Sequence, residues 1–175
     1  MDIGTIKAGH HVIYGNNGIC LVESITEMAF SAGDKHKPYF ILRPLSDANS
    51  VIYLPHDNEL LLSRLRPILK KKEVVAILNA PLCEEIDWIE DKKLRAAAFR
   101  ETVSGNHVPT LLALVKRLCH KRDELIQQNK KMLSADREVF STALRAICDE
   151  FAFALDISQQ AVEEKLQKYL EIALQ

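Results

Sequence analysis

Long apolar runs are missing from this 175-residue sequence, and so is any excess of charge, with 23 Lys and Arg against 24 Asp and Glu. No stretch approaches the ~20 apolar residues a membrane-spanning helix needs, which excludes a helical membrane protein. The opening "MDIGTIKAGH" has neither the basic start nor the apolar run of a signal peptide, so a soluble, cytoplasmic protein is expected. Cysteine is sparse: Cys20, Cys83, Cys119 and Cys148 are scattered, with no Cys-x-x-Cys or His/Cys spacing to gather metal ligands locally. Reduced core thiols are the expectation, with no metal and no cofactor. Tryptophan occurs once, at position 88. The ordinary share of apolar and charged residues excludes disordered and fibrous classes, and the length suffices for one generous core or two small ones.

Recognisable catalytic motifs are also lacking. Gly15 and Gly18 in "YGNNGIC" do not open a helix, so the phosphate-cradling geometry that needs a helix N-terminus after the glycines is absent. Asn16-Asn17-Gly18 reads instead as a turn requiring positive φ. His10 and His11 alternate faces on a strand and have no local carboxylate or cysteine to complete a metal set. His120 lies on a different helix face from Cys119, so the two do not form a nucleophile and base. A non-enzyme is expected.

Charge is uneven along the chain. Residues 1–65 carry 5 Lys/Arg against 7 Asp/Glu, residues 66–131 carry 14 against 9, and residues 132–175 carry 4 against 8. A basic middle between acidic ends fits an anionic partner for the middle, or solvated helix faces.

The hydrophobic period changes once. Up to about residue 55, short β-branched and aromatic runs ("HVIYG", "ICLVESI", "PYFILRPL", "SVIYLP") are bounded by Gly, Pro, Asn, Asp or Ser and read as strands. So few short strands bury their faces best by curling into a closed or nearly closed barrel. Beyond Pro55 and Pro67 the pattern is helical. One helix runs from about Leu69 to Asn79 before Pro81; a second is placed from an Asp87 N-cap to a stop at Gly105. A third is capped by Asn106, with Pro109 in its first turn. Its apolar stripe is Val108, Leu111, Leu112, Val115, Leu118, Cys119 and Ile126, opposite Lys116, Arg117, His120, Lys121 and Arg122. A fourth starts at Ser134 and a fifth at Ser158. The organisation is α+β, with a boundary placed between residues 1–66 and 67–175.

"IKAGHHVIYGNNGICLVESI" resembles the opening of the CarD family of bacterial RNA-polymerase-binding regulators, whose first domain also forms the polymerase-interacting module of the transcription-repair coupling factor. The carriers are Gly9, Val12-Ile13-Tyr14 and Asn17-Gly18, then "YFILRPL" and "VIYLP". The likeness continues through "DWIEDKKLRAAAFRETVSGNHVPTLLALVKRL", which resembles the family's Trp-led helix, its Ser-Gly stop and the next helix. The resemblance implies a Tudor-like or SH3-like five-stranded antiparallel β-barrel followed by an all-α domain of about five helices.

It also implies a role. The barrel would dock on the RNA polymerase β subunit, largely by edge-strand pairing, through Met28, Val51, Ile52, Tyr53, Leu54 and Pro55. The helical domain would touch promoter DNA without reading sequence, at the upstream edge of the melted region, with Trp88 as a minor-groove wedge. Lys92, Lys93, Arg95, Lys116, Arg117, Lys121 and Arg122 are the candidate phosphate contacts. The chain departs from the family pattern after Trp88, where Glu90 and Asp91 stand in place of cations, and at Tyr53, where relatives can present arginine. A monomer with no membrane contact is expected. Two other readings stay open: an adapter whose helical domain binds a second protein rather than DNA, and a small enzyme with a site between the domains.

Overall fold

In a computed structural model the chain divides into two units, Met1–Ile68 and Leu69–Gln175; residues 6–29 and 35–171 are described. The first unit is an antiparallel sheet of β1 (His11–Tyr14), β2 (Ile19–Met28), β3 (Lys37–Pro44), β4 (Ile52–Pro55) and β5 (Leu65–Pro67), in the order β4-β3-β2-β1-β5. β1 and β2 join through one 3-10 turn, Gly15–Asn17, closed by the Tyr14 amide donating to the Gly18 carbonyl at 3.0 Å. The left-handed backbone falls on Gly15 (φ +46°) and Gly18 (φ +67°), not on the asparagines, because glycine adopts it without a Cβ penalty. Alternate residues Val12, Cys20, Val22, Phe40, Leu42 and Leu54 point into one core.

The expected five-stranded antiparallel sheet is present, but the closed or nearly closed barrel is corrected in one respect: the sheet is open, and no ladder joins β4 to β5. Between them the chain forms a short helix, α1 (Glu59–Leu62), capped by Asn58, whose side chain accepts from the Leu61 amide at 3.1 Å. Leu62 and Leu65 enter the same core, so side chains bury apolar surface there without a fifth ladder.

The second unit is all-helical: α2 (Lys71–Asn79), α3 (Lys92–Gly105), α4 (Val108–Gln127), α5 (Ser134–Leu155) and α6 (Gln159–Leu170). The first half of α4 is buried all round, Leu111 through Val115, which makes it the central helix of this core. It packs with Phe99, Ile147, Phe151 and Leu166, each such side chain contributing about 1.5–3 kcal/mol on burial. Ser158 caps α6, accepting from the Ala161 amide at 3.2 Å. None of the described helices is long and apolar enough to cross a membrane.

Four local expectations are corrected. α3 starts at Lys92 and not at Asp87, since the Asp91 carboxylate takes both the Lys93 and Leu94 amides at 2.9 Å. Ile126 leaves the apolar stripe of α4 and is 62% exposed near the helix end. Cys83 is exposed, whereas Cys20, Cys119 and Cys148 are buried thiols. Asn106, placed as the N-cap of α4, is the left-handed C-cap of α3, and His107 takes the N-cap position.

Candidate functional site

Trp88 lies in an extended segment between α2 and α3. Along residues 81–88 burial alternates residue by residue, so Leu82, Ile86 and Trp88 share the face that packs on the helical core. The indole meets Phe99 edge-on, with centroids 6.2 Å apart and planes at 65°. Half-buried, it is neither a free-standing wedge nor a core residue.

Arg95 holds this segment in place. Only 3% exposed, its guanidinium pairs with the equally buried Asp136 through Nε–Oδ1 at 3.1 Å and Nη2–Oδ2 at 3.0 Å. Nη1 donates to the Ile89 carbonyl at 2.6 Å and the Glu90 carbonyl at 3.3 Å, and the group lies over the Trp88 ring at 4.2 Å. The expectation that Arg95 faces phosphate is therefore corrected, because its donors are committed inside the protein.

A second layer of cations comes from α4. The Lys121 ammonium is 5.0 Å and the Arg117 guanidinium 5.8 Å from the Trp88 centroid. Glu124 steadies both, at 2.9 Å from Lys121 and 4.0 Å from Arg117, and the Lys121 hydrogen bond holds its carboxyl below the usual range. Trp88 and α4 border a groove of about 290 Å³, with Lys116, Arg117 and His120 on one wall and Glu84, Glu85 and Asp87 on the other. The groove is thus bipolar.

The remaining predicted cations separate. Lys92 and Lys93 are exposed in the first turn of α3, where the positive helix end does not favour them. Arg122 pairs with Asp123 at 3.1 Å and borders a different cleft, between α4 and α5. Of the eight residues predicted for DNA, Trp88, Arg95, Lys116, Arg117 and Lys121 gather at one place, with Arg95 buried against the ring. Sequence reading missed the acidic wall, whose signal was present in Glu84, Glu85 and Asp87 just ahead of the tryptophan.

In the first unit, β4 is an edge strand that pairs with β3 alone. Tyr53 is 46% exposed on it, Val51, Ile52 and Pro55 are half-buried, and Leu54 is fully inside. Leu54 therefore offers a partner its backbone only. Met28 ends β2 opposite Lys37, with β3 between it and β4. Beside Tyr53's partner Ile41, Arg43 forms a two-pronged ion pair with Glu23, and that hydrogen bond lowers the Glu23 carboxyl below its ordinary range.

The open antiparallel sheet ends in two edge strands, β4 and β5, each paired with one neighbour, and a sheet edge of this kind is able to accept an added strand. Residues 6–68 match the family model of the CarD-like/TRCF RID domain, an RNA-polymerase-interacting domain. No curated protein matches the chain.

Proposed function

We propose that the protein is a non-enzymatic transcription regulator that docks on the RNA polymerase β subunit through its sheet and stabilises the open promoter complex through its helical unit. The β4 edge supplies main-chain pairing and Tyr53 the exposed side chain beside it. Trp88 wedges at the upstream edge of the bubble, where an apolar ring offsets part of the cost of unstacking. Lys116, Arg117 and Lys121 attract the flanking phosphates in a salt-dependent, sequence-independent way. Polymerase docking raises the local concentration of the helical unit at the promoter, so modest intrinsic DNA affinity suffices. The shift toward the open state is limited by the difference in affinity for the two states.

The half-buried Trp88 with the α4 cations Arg117 and Lys121 beside its ring carries this reading. Its test is the lifetime of polymerase–promoter open complexes with the wild-type chain and with Trp88→Ala. A shortened lifetime with polymerase binding retained supports it; an unchanged lifetime overturns it.

One observation favours a second reading. The acidic wall of Glu84, Glu85 and Asp87 repels phosphate and suits a basic protein segment, as in an adapter that bridges polymerase to another protein. An adapter shows no salt-sensitive affinity for forked promoter DNA even on polymerase.

A further inference from the structure

A cleft of about 390 Å³ between the C-terminal half of α4 and the start of α5 takes no part in the Trp88 groove. Its walls are apolar, with Ile126 largely exposed at the mouth and Phe140 half-buried inside. Its polar rim has one sign: Arg122, Lys130, Lys131 and Arg137, with no Asp or Glu among the described lining residues. The lysines and Arg137 are exposed, and the Lys130 ammonium donates to the Gln128 side chain at 3.0 Å. Asp123 engages Arg122 at 3.1 Å from outside the cleft lining.

We propose that this cleft binds an acidic peptide segment bearing large apolar side chains. Charge complementarity selects the occupant: four cations and no acid demand an anion, while the apolar walls have no use for a phosphate backbone and seat a hydrophobic anchor. A short helix with one acidic and one apolar face, laid along the cleft, satisfies both demands. The contrast with the Trp88 groove, where acids form one wall, gives the two sites different partners.

The test is a fluorescence-anisotropy titration of the full chain with a labelled acidic peptide of about 15 residues, in which Leu and Phe recur at helical spacing among Asp and Glu. The competitors are the same peptide with Ser in place of Leu and Phe, short duplex DNA, and vesicles containing phosphatidylglycerol. Expected are saturable binding, at least tenfold loss in Lys131→Glu/Arg137→Glu and in Ile126→Ser, and no change in Trp88→Ala. All the altered cleft side chains are exposed, so circular dichroism of the variants should match the parent. Equal binding of the Ser-substituted peptide, displacement by DNA or vesicles at lower concentration than by the unlabelled peptide, or no saturable binding overturns the proposal.

Discussion

Arg95 covers the Trp88 ring at 4.2 Å while its other edge grips Asp136, so the only tryptophan is fixed by an ion pair formed across 41 residues of sequence. The indole is thereby set against its own core, and only part of it is exposed. Rigidity of this kind reduces the ordering needed when a partner is engaged.

Removing Asp136 leaves the Arg95 charge buried without its counter-ion. Asp136→Ala should lower stability by about 3–5 kcal/mol, measured by urea unfolding, and the paired replacement Arg95→Met/Asp136→Leu should recover much of that loss. Indole fluorescence should redden in Asp136→Ala, as the Ile89 and Glu90 carbonyls lose a fixed donor.

Charge reversal on α4 should act on DNA and not on folding. Each of Lys116→Glu and Arg117→Glu should weaken polymerase-assisted binding to forked promoter DNA and flatten its log-affinity against log-salt plot by about one unit. Lys92→Glu, away from the indole, should change that plot less.

The two faces of β4 separate contact from core. Leu54→Ala should cost about 2–5 kcal/mol of stability by emptying a fully buried site, seen as a lower urea midpoint. Tyr53→Glu should leave the midpoint near that of the parent.

The thiols set an alkaline limit. Burial pushes Cys20 and Cys119 up to about 11 and Cys148 to about 12, from an ordinary 9.0. Between those values the unfolded thiols have lost protons that the folded ones still hold. Their contribution is therefore whole below pH 9.0 and falls as pH rises toward 11–12. Unfolding midpoints measured from pH 8 to 11 should decline, and the decline should be shallower in Cys148→Ala; at neutral pH a thiol reagent should label the exposed Cys83 first.

Much of the fold is legible in the sequence because it is local. The glycine corner between β1 and β2, the switch from period two to period 3.6, Pro109 in the first turn of α4 and the Ser158 cap all act within a few residues. The start of α3 misleads because Asp87 and Asp91 are both good caps, and only the Arg95 bonds to the Ile89 and Glu90 carbonyls decide that the chain before Asp91 stays extended. Arg95 itself reads as a surface cation until Asp136 is brought to it. Sheet opening is equally hidden, since it depends on how α1 sends Leu62 into the core, a packing outcome with no sequence period. Long-range pairing, in each case, overrides a local signal.

Docking through the sheet edge can be measured by a binding titration of the full chain against the isolated N-terminal lobe of the RNA polymerase β subunit. Saturable binding, weakened at least tenfold by Tyr53→Glu and unchanged by Trp88→Ala, is the predicted result. Absence of binding, or equal binding by the Tyr53→Glu variant, would contradict it.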